Sequence, residues 1–155
     1  MSFIDYLEGK ILDMVWGNTA FTPASPLYVG LSTTTINDDG TGITEPSGGA
    51  YARVAVGNRE TNSWPNAAAG IKQNGTAIIF PTATASWGNV TYFFISDASS
   101  GGNIYLSGSV NPSQSVGIND SARFSANDMT ISLDLWLAFA MSIPLLRVAF
   151  SMFFA

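Results

Sequence analysis

The chain has 155 residues, of which 46% are hydrophobic and only 11% are charged, and its net charge is −5 with a pI near 4.3. Nucleic acid is excluded as a partner, because phosphate binding needs clustered basic residues and the six Lys and Arg are scattered. Without cysteine or histidine, the chain has no disulfides, no thiolate or imidazole metal ligands and no histidine-based catalysis. The length predicts one domain with its own core.

The N-terminus predicts a short amphipathic helix that ends near Gly17. Ser2 is a candidate N-cap with Asp5 three residues later, and apolar residues then repeat at helical spacing at Ile4, Leu7 and Ile11. We expect this apolar stripe to pack on the chain's own sheet, and docking to a partner is the alternative. Acidic residues stand where a secretory signal would have a basic start, so we expect no signal peptide.

Seven strands are predicted from alternating polarity and from β-branched and aromatic content. They cover residues 27–32, 51–56, 77–80, 90–96, 104–109, 123–125 and 129–133. The polar stretches 33–50 and 57–75 are expected to be long surface loops, and 111–120 is expected to consist of turns. In the second strand we expect Ala52, Val54 and Val56 to point inward and Arg53 to point outward.

The centre of the fold is expected at strands 77–80 and 90–96, as neighbours in an antiparallel sheet. Strand 90–96 is apolar on both faces, with Val90, Tyr92 and Phe94 on one side and Phe93 and Ile95 on the other. Both faces should therefore be covered, as in a sandwich. The same strand should form a hairpin with 104–109.

The last stretch, 135–155, is long and apolar enough for a transmembrane helix. Arg147 near its middle and Pro144 before it disfavour that structure. Apolar residues alternate from Ile131 to Ile143 and again after Pro144, which is strand spacing. We expect an extended arm buried on a neighbouring subunit, with a membrane-docked tail and packing on the chain's own domain as alternatives.

The fold class expected is all-β: an antiparallel β-sandwich or jelly roll with a short N-terminal amphipathic helix and an apolar C-terminal arm. Its parts are the helix at 1–17, the sandwich domain at 18–134 and the arm at 135–155. About seven strands at this spacing are typical of such a domain.

Candidates for chemistry are few. A glycosidase-type carboxylate pair could come only from acids in predicted loops, where turn formation alone accounts for them: Asp38, Asp39, Glu45, Glu60 and Asp97. The run 37–40 offers oxygen ligands for calcium but lacks EF-hand spacing. A sugar-binding platform could draw on the tryptophans, although these are spread along the chain: Trp16, Trp64, Trp87 and Trp136. We expect no catalytic, metal or cofactor-binding residues, and no enzymatic activity.

Five stretches resemble a family of tailed-phage virion structural proteins, which are tail-fibre-like or head-decorating. They are Ser2-Phe3 with the DYLE of 5–8, LYVGLSTT at 27–34, TEPSGGAYARVAV at 44–56, GTAIIFPTATASW at 75–87 and MTISLD at 129–134. The resemblance implies a β-sandwich or jelly roll built in many copies into a virus particle. Residues 135–155 depart from it, since such a chain is expected to stop near residues 130–134.

On that resemblance the expected function is a capsid cement or decoration subunit, assembled in the host cytoplasm. The expected partners are the major capsid protein or tail proteins, in a homo-oligomer for which a trimer is one candidate; no cofactor and no membrane partner are expected. The alternative is a tail or tail-fibre component whose loops 33–50 and 57–75 bind a host-surface glycan. The apolar residues expected at interfaces are Ile4, Leu7, Ile11, Leu135, Leu137, Phe139, Met141, Val148, Phe150 and Phe154.

Overall fold

The computed structural model describes residues 1–57 and 64–132. These residues form one helix, α1 (Asp5–Val15), and nine strands. The strands are β1 (Ser2–Phe3), β2 (Leu27–Ser32), β3 (Val54–Val56), β4 (Ile71–Gln73), β5 (Ile78–Ile79), β6 (Gly88–Ser96), β7 (Ile104–Val116), β8 (Arg123–Phe124) and β9 (Thr130–Ser132). The prediction of a mostly β chain with one short N-terminal helix is confirmed.

The strands form one five-stranded sheet and two two-stranded ribbons. The order in the main sheet is β1-β7-β6-β2-β3, and the ribbons are β4-β9 and β5-β8; every pairing is antiparallel. Strand β6 lies at the centre, and its hairpin with β7 is confirmed.

The larger hydrophobic cluster lies between one face of the main sheet and the two ribbons. The sheet contributes side chains such as Leu31, Phe93 and Ile95, and the ribbons contribute Ile78 and the partly buried Phe124. A ribbon exposes both of its edges, so packing on the sheet is what stabilises such short pairs. One face of β6 is therefore covered by strands.

The opposite face of β6 is covered by a loop and by the start of α1. The smaller cluster joins Phe94 and Ile104 of the sheet to Ile36 of the loop and to Ile4. The sequence predicted that β6 would be covered on both faces, and the structure shows this. The cover on this side, however, comes from segment 33–50, which folds back onto the sheet through its few apolar residues.

Strand 77–80 is not a neighbour of β6, and that expectation was wrong. Both edges of β6 are already paired, with β2 and β7, whereas β5 pairs with β8 at Ile78↔Phe124. The two segments are still close, because both contribute side chains to the larger cluster.

Strand β7 continues to Val116 through the segment that was expected to consist of turns. The register of the β6–β7 pair shifts between Val90↔Gln114 and Tyr92↔Ser109, so that residues 110–113 bulge opposite one residue of β6. A bulge tolerates Pro112, which has no N–H to donate to the ladder. The shift also moves Val90 into the larger cluster, away from the face of Tyr92 and Phe94 that the alternation had predicted.

The N-terminal helix begins at Asp5, and its N-cap is Ile4, two residues after the predicted N-cap Ser2. Ser2 and Phe3 instead pair with Ser107 and Leu106 at the edge of β7, and Ser2 Oγ donates to the Phe3 carbonyl. Residue 4 occupies the N-cap position without a side-chain cap. The ladder contacts of β1 thus replace the predicted capping box.

A second difference is β4, which lies inside the stretch 57–75 that was expected to be loop. Its three residues have little apolar patterning of their own and are held by pairing with β9. Within residues 1–57 and 64–132, no helix is both long and apolar enough to cross a membrane.

Candidate interaction surfaces

Three of the acidic side chains that could have formed a carboxylate pair, those of Asp39, Glu45 and Asp97, form structural hydrogen bonds or an ion pair instead. Asp39 Oδ1 accepts hydrogen bonds from Thr41 N–H at 2.9 Å and from Thr41 Oγ1 at 2.6 Å, and these bonds lower the pKa of Asp39. The two carboxylate oxygens of Asp97 accept from the backbone N–H and the amide of Asn103, both at 2.7 Å. Glu60 lies outside the described residues. Across 1–57 and 64–132, no three acidic side chains come together as a metal site would require.

Arg53 is buried, with its side chain only 5% exposed, so the expectation that it points outward to solvent was wrong. Its guanidinium forms a two-point ion pair with Glu45, in which Nε and Nη2 each donate at 2.9 Å. Nη1 donates at 2.8 Å to Ser96 Oγ and to the carbonyls of Ala98 and Gly101. The guanidinium lies over the ring of the buried Phe94, with Cζ 4.8 Å from the ring centroid. Its hydrogen-bond donors hold the surrounding loops in place.

Tyr51 extends this polar network to the main sheet. Its hydroxyl donates to Glu45 Oε1 at 2.8 Å and accepts from the Leu31 N–H at 2.8 Å. Burial raises the pKa of Tyr51, and the negative charge of Glu45 adds to the effect. The phenol stays protonated and donating at neutral pH. Segment 33–50 is therefore tied to β2 and to the β6–β7 turn by internal bonds.

The described tryptophans do not form a sugar-binding platform. Trp64 and Trp87 are buried in the larger cluster, and Trp87 Nε1 donates to the Gly49 carbonyl at 2.8 Å. Trp16 is 79% exposed at the end of α1. Trp136 lies outside the described residues.

The predicted interface residues of the N-terminal helix differ in their exposure. Ile4 is 1% exposed and belongs to the smaller cluster, so it packs on the chain's own sheet. Leu7 and Ile11 are half-buried. The other predicted interface residues, Leu135, Leu137, Phe139, Met141, Val148, Phe150 and Phe154, lie outside the described residues.

The end of α1 presents an apolar surface that the sequence analysis missed. It consists of four exposed side chains, which we call the helix-end patch: Leu12, Met14, Val15 and Trp16. The signal was available, because Leu12, Val15 and Trp16 stand at i, i+3 and i+4 and so share one side of the helix. The polar side of a surface helix is normally the exposed one. This patch is therefore a candidate contact surface.

An open apolar cavity of about 340 Å³ lies beside the other side of α1. Side chains from the main sheet, the helix and the ribbon β4-β9 line it, including Phe3, Leu7, Leu27, Trp64, Ile95 and Ile131. Lys72 is the only basic or acidic residue among the described residues that line it, and its Nζ donates to the Pro65 carbonyl at 3.0 Å. We call this site the apolar cavity. Its lining favours an apolar occupant.

One further open cavity, of about 480 Å³, has a mixed lining. It combines polar groups of Gln114, Asp120 and Arg123 with the side chains of Val110 and Phe124. This cavity lies at the bulged part of β7, away from the loops that the sequence proposed for glycan binding.

Comparison with known proteins identifies the family. The family described as podophage GP4 fiber I protein gp80 matches residues 2–132. No curated protein matches the chain. Since the match covers all nine described strands and α1, the chain belongs to this family of tailed-phage virion structural proteins.

Proposed function

We propose that the chain is a non-catalytic fibre subunit of a podophage-like virion, held to other virion proteins by apolar surfaces. The observation that carries the proposal is the match of residues 2–132 to a podophage fibre protein family. The acidic side chains of the described loops support the absence of catalysis, because Glu45 and Asp97 are engaged in structural bonds. Hydrolysis of a cell-wall polysaccharide by the purified protein, lost in Asp38→Asn or Asp97→Asn, would contradict it.

The chain is proposed to consist of three parts with different roles. Helix 1–17 presents the helix-end patch, the domain 18–134 is a sandwich-like body, and 135–155 is an arm buried on a neighbouring subunit. The arm's contact residues are proposed to be Leu135, Leu137, Phe139, Met141, Val148, Phe150 and Phe154. We infer a homo-oligomer, with a trimer as the first state to test, since so much apolar surface is unfavourable in water.

The helix-end patch gives this proposal a direct experiment. In Leu12→Ser with Trp16→Ser, the fold should persist, because both side chains are exposed, at 56% and 79%. Incorporation into particles, measured by mass spectrometry of purified virions, should fall strongly. The matched control is Ile79→Ser with Ile118→Ser, which removes two side chains of similar exposure, 59% and 64%, elsewhere. Equal incorporation of both variants would contradict a role for the patch.

A capsid cement or decoration subunit is the second candidate. It is favoured by the low charge content of 11%, which suits a surface packed against other subunits. Cryo-EM of virions distinguishes the two positions, because a decoration subunit covers the head and a fibre subunit projects from the particle. Density for this chain over the capsid lattice would replace the fibre proposal with the cement proposal.

Glycan binding by such a fibre is the third candidate, and the mixed cavity at the bulge of β7 favours it. Arg123 and Asp120 beside the Phe124 ring are side chains of the kind that bind sugars. A glycan array with the purified protein tests this, and Arg123→Ala should abolish any signal. Glycan binding that is lost on substitutions in loop 33–50 and not in Arg123→Ala would place the glycan site in that loop, as the sequence suggested.

A further inference from the structure

The apolar cavity is lined mainly by apolar side chains and is open to solvent, which calls for an occupant. Phe3, Leu27 and Ile95 form part of its floor on the main sheet, and Leu7 and Trp64 are among its walls. Apolar surface of this kind is unfavourable in water and is normally covered.

The described chain ends at the rim of this cavity. Ile131 of β9 lines it, and the last described pair between β9 and β4 is Ser132↔Ile71. On the side of β4, the residues that precede Ile71 turn at Ala69 and Gly70, with φ of 51° and 75°, so the described part of β4 does not continue past that pair. Gly70 and Ala67 also line the cavity. The chain that follows Ser132 therefore begins next to the apolar lining of the cavity.

The alternation of buried and exposed side chains along β9 indicates which of the following side chains would enter the apolar cavity. Met129 is buried and Ile131 lines the cavity, whereas Thr130 and Ser132 are exposed. If the strand continued with the same two-residue period, Leu133, Leu135 and Leu137 would fall on the cavity side. Residues 133–137 span roughly 17 Å when extended, at ~3.3 Å per residue.

We propose that residues 133–137 of the same chain fill the apolar cavity and so anchor the root of the C-terminal arm on its own domain. The inference rests on the arm of the proposed function and reassigns Leu135 and Leu137 from the neighbouring subunit to the chain's own cavity. A segment that begins at the rim has a far higher effective concentration there than a segment of another copy. Residues 138–155 then remain to reach a neighbouring subunit.

Residues 133–137 lie beyond the part of the chain that matches the family. The described residues that line the cavity all lie within the matched range 2–132, and the proposed occupant lies beyond it. The family match itself therefore does not supply the occupant.

The absence of cysteine from the sequence makes disulfide trapping a clean test. Three full-length variants combine Ala67→Cys with Leu133→Cys, Leu135→Cys or Leu137→Cys, so that at least one pair comes within the Cα separation of ~4.4–6.8 Å that a disulfide requires. The control pairs Leu135→Cys with Ala126→Cys, an exposed alanine that does not line the cavity. After mild oxidation, non-reducing gels and peptide mass spectrometry report the products.

We expect an intramolecular disulfide, in a band of monomer size, for at least one cavity pair and not for the control. Covalent dimers would show that a neighbour's segment fills the cavity, and no cross-link in any of the three variants would show that 133–137 lie elsewhere; either result overturns the proposal. The readout needs no virion. A trapped monomer that fails to join particles would therefore count against the proposed function and not against the anchor.

Discussion

Phe94 lies over Gly30, the residue directly paired with it on the neighbouring strand. Phe94 is fully buried, and any Cβ at position 30 would run into its ring. Phe93 has the same relation to its partner Gly108 on the other face, where a Cβ would lie 2.6 Å from the ring. The two aromatic rings at the centre of the main sheet thus each cover a glycine, a device that also helps to fix strand register.

Gly30→Ala should therefore destabilise the fold. The added methyl overpacks the site, and overpacking costs about 1 to 3 kcal/mol. The free energy of unfolding in urea measures the effect. The control is Gly9→Ala in α1, where a Cβ meets nothing within 4 Å, and where the change should raise stability by up to about 1 kcal/mol. Equal effects of the two substitutions would contradict the close packing of Phe94.

Arg53→Met should cost about 3 kcal/mol in unfolding free energy, because it leaves the Glu45 carboxylate without its ion-pair partner. Adding Glu45→Met should recover part of the loss, since no unpaired charge then remains. Arg123→Met is the matched control at an exposed arginine and should change stability by less than about 0.5 kcal/mol. If Arg53→Met behaves like Arg123→Met, the buried network does not hold the loops.

Stability should fall at alkaline pH because the pKa of Tyr51 is raised in the folded chain. Below the pKa of about 10 that a tyrosine has in the unfolded chain, the full contribution of Tyr51 to the free energy of unfolding is present. As the pH rises above this value, the contribution is lost, because the unfolded state releases the phenolic proton while the folded state still holds it. Urea denaturation at pH 8 and pH 11 measures the loss. Tyr51→Phe should be less stable at pH 8 but should lose less between the two values; an equal loss would exclude Tyr51 as its cause.

Removal of residues 1–18 should unfold the domain or lower its melting temperature markedly. It deletes β1 and Ile4, which is 1% exposed. Ile4→Ala alone should cost about 2 to 5 kcal/mol, and Leu12→Ala, at an exposed position of the same helix, should cost far less. A chain that starts at Thr19 with an unchanged melting temperature would show that the helix is not part of the core.

The sequence predicted the strands because their alternation is local. Strand β2 matches its predicted range of 27–32, and the β6–β7 hairpin joins segments close in the chain. Pairing over longer distances was not predictable, so β5 was assigned to the wrong neighbour.

Arg53 shows the same limit for side chains. Its partners at 45, 96, 98 and 101 converge only in the folded chain, and a single arginine in a strand normally points to solvent. For the candidate surfaces, the apolar stripe of α1 was predicted, whereas the apolar cavity was not, because it combines residues from 3 to 131.

The central claim is that this chain is a virion subunit joined to its neighbours by its C-terminal arm, and truncation after Asp134 tests it most directly. Particles assembled with the full-length or the truncated chain are purified, and the content of this chain is measured by mass spectrometry, with circular dichroism of the purified truncated protein as the folding control. We predict that particles assembled with the full-length chain contain it at many copies. The truncated chain should fold but should be absent from the particles assembled with it. Incorporation of the truncated chain at the full-length level would contradict the arm, and absence of the full-length chain from particles would contradict the virion role.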